Sequence, residues 1–329
     1  NGDIGLLGAL NVGDVQSMAG FDIFGTNNRG LAALNIAGSA TSDLFWINLG
    51  TGAGTRVDTI GGGERVRGLA FARLPVAVVY GLTSDNHLVS FKPLTPGTFD
   101  SDVAITGLAG TEAIIGFDFR PSNGLLYAIT DGARVYTLDP ATGVATSLRG
   151  LIPNPLDTTL PFAAFSGTRF DLDFSSIDNQ LRIQSDTGQN LRVTVDDGSV
   201  ITDGNLSPGT PQVAGVAYTG SYAGATTSVY YGLDVASSTL VRNVSVSGAV
   251  QTVGPLNVLP PAAPTTFQAD GGFDIVGGQN GLPVAALLPV GATQSSLYRV
   301  NLASGSLTLL GAIGASSTTV IRDIAVRLQ

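Results

Sequence analysis

The sequence predicts an all-β protein, a β-propeller of about six four-stranded blades. Three observations predict it: a strand motif that recurs six times, turn chemistry repeated between short β-rich runs, and 44 glycines and 16 prolines scattered through 329 residues. So many breakers leave no room for long helices, while 43% apolar residues supply a large core.

The unit is clearest over residues 115 to 149. Ile115 to Phe119, Leu125 to Ile129, Arg134 to Leu138 and Val144 to Leu148 are four short β-rich runs separated by turn residues. Between the last two lies Asp139-Pro140-Ala141-Thr142-Gly143, where Asp and Pro favour the turn start and Gly143 suits the left-handed position that ends a bulged hairpin. Similar punctuation occurs at Asn48 to Gly52, Asp196-Asp197-Gly198 and Asn301 to Gly305.

The first strand recurs as Gly20-Phe21-Asp22-Ile23, Gly68-Leu69-Ala70-Phe71, Gly116-Phe117-Asp118-Phe119, Asp171-Leu172-Asp173-Phe174, Gly215-Val216-Ala217-Tyr218 and Gly272-Phe273-Asp274-Ile275. Units of roughly 35 to 55 residues follow, a spacing that signals a repeat architecture. Sheets set around an axis cover one another and hide their edges. Five or seven blades are the alternatives. The expected organisation is one domain over 1–329: a strand and linker at 1–18, six blades over 19–313, and a C-terminal strand at 314–329. Gly20, Gly116 and Gly272 are expected where innermost strands crowd together, and to tolerate alanine less well than Gly143. Segment 1–74 also resembles segment 252–329, with Gly-Phe-Asp-Ile, an Ala-Ala-Leu strand and a closing Arg-containing strand in the same order.

Ser185 to Val193 (Ser-Asp-Thr-Gly-Gln-Asn-Leu-Arg-Val), with Gly116 to Pro121, Leu126-Tyr127-Ala128 and Ile321 to Val326, resembles an uncharacterised bacterial secreted family, domain of unknown function 4394. The resemblance is most specific over about residues 80 to 328, with 1–75 looking like an added unit. It implies a propeller and secretion, and brings no catalytic residues.

Cysteine is absent, and His87, Met18 and Trp46 are single occurrences, so disulfides and thiolate metal sites are excluded. All but Lys92 of the 16 basic residues are arginine, and the net charge is -9. Nucleic acid and anionic membranes need clustered cations, so neither is an expected partner. There is no uninterrupted run of 18 apolar residues, and the chain reads as a mature, secreted, extracellular or cell-surface protein without membrane insertion.

Asp22, Asp118, Asp173 and Asp274 hold one repeat position, and carboxylates lining an axis are the candidate ligands for Ca²⁺. The period of two opposes that: Phe117 and Phe119 share one face, which turns Asp118 toward the next blade, where it can accept backbone N–H bonds. Otherwise no cofactor is expected. His87 follows a turn, and no Gly-x-Ser-x-Gly elbow accompanies it; Gly61-Gly62-Gly63-Glu64 lacks the Lys-Ser/Thr ending of a phosphate loop. No catalytic residue is assigned.

Two long connections, 150 to 168 and 254 to 267, carry Leu151, Ile152, Phe162, Phe165, Val258, Leu259 and Phe267, which are expected to form one apolar patch or to fold down as a cap. Six blades leave two apolar runs over: Ile4, Leu6, Leu7 and Leu10, and Ile321, Ile324, Val326 and Leu328. The function expected is therefore structural or interactive: a protein outside the cell that binds copies of itself, exchanging terminal strands head to tail into a filament. The alternatives are a metal-assisted hydrolase or lactonase using axial aspartates, and a glycan-binding lectin-like propeller with a cell-surface partner.

Overall fold

The computed structural model describes residues 6–23, 29–61, 65–69, 76–209, 211–244, 246–259, 266–279 and 281–329. The chain divides into two units, Asn1–Leu74 and Pro75–Gln329. Strands and turns make up the described residues, and no helix among them is long and apolar enough to cross a membrane.

Unit 1 is one antiparallel sheet, β1 (Val15–Ile23), β2 (Arg29–Ile36), β3 (Asp43–Asn48) and β4 (Gly54–Thr59), in that order. Its small core is Ala32, Leu34, Phe45 and Ile47, with Val12, Val15 and Ile36 against them.

Unit 2 holds five sheets. Blade 1 contains β5 (Ala77–Thr83), β6 (His87–Phe91) and β7 (Phe99–Ala104), and its innermost strand is β26 (Ile321–Leu328) from the far end of the chain. Blade 2 is β8 (Ile114–Phe119), β9 (Leu126–Thr130), β10 (Arg134–Leu138) and β11 (Ala145–Gly150). Blade 3 is β13 (Phe170–Phe174), β14 (Leu181–Ser185), β15 (Asn190–Thr194) and β16 (Ser199–Thr202), with β12 (Ile152–Pro153) parallel along its outer edge. Blade 4 is β17 (Val213–Tyr218), β18 (Tyr230–Asp234), β19 (Thr239–Val244) and β20 (Ala249–Pro255). Blade 5 is β22 (Phe267–Val276), β23 (Leu282–Pro289), β24 (Ser296–Val300) and β25 (Leu307–Ala312), edged by β21 (Val258–Leu259).

The innermost strands touch in the order β26, β8, β13, β17, β22 and back to β26, so the sheets close into a propeller-like ring. Inner strands are buried on both faces, as in β17, because a blade packs on either side; the outer strand β7 alternates between half-buried and exposed residues. Five apolar clusters fill the five seams. Phe117 and Tyr136 lie in seam 1/2, Phe174 and Leu181 in seam 2/3, Val216 and Tyr218 in seam 3/4, Phe273 and Tyr298 in seam 4/5, and Val284 and Ile324 in seam 5/1.

The sequence pattern favoured six blades over 19–313 with β26 as a spare; the structure places five in the ring and the remaining sheet in unit 1. The difference has one cause. β26 pairs antiparallel with β5, from Ile321 opposite Thr83 to Leu328 opposite Ala77, and so completes blade 1 within the chain. Ile321, Ile324 and Val326 are buried there, each contributing roughly 1.5–3 kcal/mol.

The glycines also sort differently from expectation. Gly272 has no room for a side chain, because a Cβ would press on the backbone of Asp323 and Ile324. Gly143 is no more tolerant: its φ is +71°, its N–H donates to Asp139 O at 2.8 Å, and a Cβ would lie 2.6 Å from Ala104 O. Gly278 meets nothing within 4 Å. Gly272→Ala and Gly143→Ala should each lower stability by about 1–3 kcal/mol, and Gly278→Ala should stay within about 0.5 kcal/mol of wild type. Urea unfolding midpoints measure all three; equal midpoints would overturn this packing.

Candidate functional site

Five buried aspartates stand on the innermost strands of unit 2: Asp118 on β8, Asp171 and Asp173 on β13, Asp274 on β22 and Asp323 on β26. They join consecutive blades. Asp323 Oδ2 accepts from Phe117 N at 2.7 Å, Asp118 Oδ2 from Phe174 N at 2.8 Å, Asp171 Oδ2 from Val216 N at 2.5 Å and Asp274 Oδ2 from Val326 N at 2.5 Å. Asp173 accepts from the backbone of Tyr218. Oδ1 of Asp118 and of Asp323 also takes the N–H of the following residue, at 2.6 Å in both.

Four of the five seams thus have a carboxyl latch. Seam 4/5 has none, because Gly215 and Ala217 fill the corresponding positions; a Cβ on Gly215 would press on Phe273, so close backbone approach replaces the latch. Asp171 and Asp323 stand where the other three blades have Gly116, Gly215 and Gly272, so the repeated Asp position does not mark them. Asp323 hid in a strand taken for a spare, and Asp171 in a position that usually holds glycine.

Burial dominates the acidity of these groups. It raises Asp171 to about 8 and Asp274 to about 7. Burial and then the neighbouring Asp274 and Asp323 push Asp118 well up; burial, then Asp118 and Asp274, do the same for Asp173. Asp323 rises through burial and then through the neighbouring Asp171. At one end of the set, Arg322 donates to Thr83 O and Ile114 O, both at 3.2 Å, and Arg169 pairs with Asp270 at 2.5 Å. Phe119, Arg120, Tyr222, Val276 and Arg327 line a cavity of about 270 Å³ at the other ends of the inner strands.

Among the described residues no group of three or more His, Cys, Asp or Glu is arranged to hold a metal ion. The carboxylates proposed as calcium ligands are engaged with N–H groups, and Asp22 belongs to unit 1. His87 Nδ1 lies 2.6 Å from Asp102 on a cavity of about 470 Å³ that Ser84, Asp85, Ser316 and Thr318 also line. Hydrogen bonding to Asp102 raises the imidazole above its usual value. No serine hydroxyl among the described residues bonds to it, so the dyad lacks a nucleophile in place.

The loop residues divide between two seams and form no single patch. Phe162 is buried in seam 2/3 with Leu151 and Phe165 against it, and Phe162, Phe165 and Phe170 stack edge to face. Phe267 and Val258 pack into seam 4/5, Phe267 against Tyr298. Only Ile152 and Leu259 of that set are about half exposed.

Of the assembly residues, Ile4 lies outside the described residues. Leu6 is 94% exposed, Leu7 68% and Leu10 38%, whereas Ile321, Ile324 and Val326 are buried in β26 and Leu328 is at its exposed end. In this structure the C-terminal set closes the ring and offers no surface to another chain.

The segment from Ser185 to Val193 is structural. Ser185 Oγ accepts from Thr187 N and Gln189 N, Asp186 holds Thr168, and Gln189 holds Ser166 N and Ala164 O, which pins the aromatic loop. Arg192 and Arg182 both reach Asp203, at 2.7 and 2.5 Å, in a buried ion triad; Asn190 accepts from Arg182 and Gln184.

The buried carboxyls of unit 2 therefore connect blades. The model of a domain of unknown function (DUF4394) matches residues 1–70 and 87–325. The chain belongs to the DUF4394 family. No curated protein matches it. Among solved structures, this DUF4394 chain is similar to a protein of unknown function from Bacteroides thetaiotaomicron (14% identity, TM-score 0.42, 95% of this chain and 70% of that one). It is also similar to a chain of a nidogen/laminin complex (10%, TM-score 0.43, 77% and 98%) and to a quinonprotein alcohol dehydrogenase-like protein from Bacteroides thetaiotaomicron (11%, TM-score 0.33, 94% and 69%).

The axial carboxyls set the pH response of this DUF4394 ring. Their acidity in the folded chain is weaker than in the unfolded chain, so their contribution is complete below about pH 4 and is lost as pH rises to about 7–8. Carboxylates held low by partners, Asp43 by Arg56 and Asp196 by Arg120, act oppositely below about pH 4, but each pair has one solvent-exposed member and contributes little. The thermal midpoint should therefore fall from pH 5 to pH 8, and Asp173→Asn should make that slope shallower. Calorimetry across this range would reject the carboxyl account if the midpoint rose.

Proposed function

We propose that the protein works outside the cell as a structural module that assembles with copies of itself, unit 1 supplying the joint. One observation carries this: large apolar side chains of unit 1 stand open, Leu6 and Leu7 in the N-terminal segment, and Phe21 and Ile23 on β1 at 51% and 54% exposure. Phe21 and Ile23 match Phe273 and Ile275 in the repeat, which are buried in seam 4/5. Residues that a blade normally covers, left open, favour a protein neighbour.

The neighbour proposed is a second copy, and a contact between two different surfaces of one chain propagates head to tail into a filament. A net charge of -9 with a single lysine disfavours nucleic acid and anionic lipid as alternatives. The originally expected exchange of both termini is narrowed to the N-terminal unit, since β26 is paired within its own ring.

Negative-stain microscopy and light scattering of the purified chain test this. The full chain should polymerise with concentration, while a chain lacking residues 1–10, or carrying Phe21→Asp with Ile23→Asp, should remain a folded monomer. A full chain that stays monomeric at millimolar concentration refutes the proposal.

A further inference from the structure

Unit 1 repeats, bond for bond, the part of unit 2 that closes the ring. Ile60 N donates to Ser42 O at 2.8 Å, and Ile313 N to Ser295 O at 2.9 Å. Val66 N donates to Ser42 Oγ at 2.8 Å, and Ile321 N to Ser295 Oγ at 3.0 Å. A Cβ on Gly20 would press on the backbone of Gly68 and Leu69, just as one on Gly272 would press on Asp323 and Ile324. Gly8 and Gly254 repeat the relation at the other flank, each against a turn carbonyl, Thr51 O or Ser304 O. Residues 65–69 therefore stand beside β1 as β26 stands beside β22.

β26 is the innermost strand of blade 1, and the run from Arg65 to Phe71 carries the same inner-strand pattern in the sequence. Chain order strengthens the match. In blades 2 to 5 the innermost strand immediately precedes the second strand, as β8 precedes β9; only blade 1 takes its innermost strand from the far end. The segment that immediately precedes β5 is the one beginning at Arg65.

We infer that the blade 1 slot filled by β26 has a second occupant in the same chain, the segment opening at Arg65, and that their exchange makes unit 1 a sixth blade and releases the C-terminal strand. In that arrangement Val66 takes the place of Ile321 and Leu69 that of Ile324, and a blade covers Phe21 and Ile23. The consequence for assembly rests on the proposed self-association: β26 would hold the ring in a five-bladed form, and in the exchanged state the joint would pass from Phe21 and Ile23, now covered, to the freed β26, which offers a strand to a second copy. The exchange itself does not depend on that reading.

In the buried middle of the strand the two occupants differ in one charged residue, Gly68 in place of Asp323, and toward the ends Arg65 replaces Val320, Ala72 replaces Arg327 and Arg73 replaces Leu328. Asp323 faces Asp171 and Asp173 of β13, Asp118 of β8, Asp274 of β22 and its own neighbour Arg322, while β5 brings Tyr80 and β23 no ionisable group. Its burial among carboxyls favours β26 in acid and the glycine-bearing segment as pH rises, a direction that agrees with the geometry.

The chain has no cysteine, so engineered pairs report the occupant directly. Val326 is opposite Val79 in the register, and the repeat places Phe71 at the position of Val326. Val79→Cys with Val326→Cys should cross-link in the full chain at pH 5. Val79→Cys with Phe71→Cys should cross-link in a chain ending at residue 319, which should unfold cooperatively, and in the full chain increasingly from pH 5 to pH 9. A truncated chain that is unfolded, or is folded without the 71–79 bond, overturns the exchange. Both bonds are read by mass on size-selected monomers: a 71–79 bond without polymer would sink the assembly proposal alone, and polymer without that bond would sink the exchange alone.

Discussion

Everything in unit 2 depends on the antiparallel pairing of β26 with β5, because a ring of sheets has no closed core until its last seam is made. Blade 1 without β26 would be three strands, with the inner faces of Phe117 and Val284 left without a neighbour. The pairing joins residues more than two hundred positions apart, so its loop-closure cost is incurred before any seam on either side is rewarded. Once it forms, seams 1/2 and 5/1 are completed together. One strand therefore links apolar burial in two places to a single register.

The axial carboxyls explain how that register is read. A blade's apolar face tolerates sliding, since leucines and valines pack at several offsets. A carboxyl that must meet one N–H on the next blade does not. Each latch contributes about 0.5–1.5 kcal/mol as a neutral hydrogen bond, little beside the seams, but a misplaced blade would leave a buried acid without a partner, at about 1–3 kcal/mol or more. The latches act mainly by penalising wrong alignments. Weakened acidity follows directly, since a carboxyl kept away from water holds its proton.

The strand type and the repeat were legible in the sequence because inner strands carry a distinctive Gly-x-Asp-x pattern with both faces apolar. The role of Asp118 followed from its offset against Phe117 and Phe119. Ring closure was not legible, for a physical reason: periodicity shows that a run is an inner strand, but not which sheet it joins. The segments beginning at Arg65 and at Val320 carry the same inner-strand pattern in the sequence, and counting along the chain assigned the slot to the nearer one. Phe162 and Phe267 were misplaced as one patch because loop aromatics do not encode which seam they enter. The buried triad of Arg182, Arg192 and Asp203 left no local pattern, since its members come from three different strand positions.

That triad identifies the seam in which packing alone is insufficient. Seam 3/4 has the smallest apolar cluster of the ring, and stacked Tyr218 and Tyr230, 4.2 Å apart, take the place of aliphatic side chains. Arg182 lies over Tyr230 while paired to Asp203, so its charge is balanced on one side and its flat face covered on the other. Blade 3 is also the blade with two latches, Asp171 and Asp173, both toward blade 4. Polar specificity is concentrated where apolar burial is thinnest, and the adjoining seam 4/5, rich in Phe267, Phe273 and Tyr298, has no latch at all. The ring thus trades one kind of constraint for the other from seam to seam.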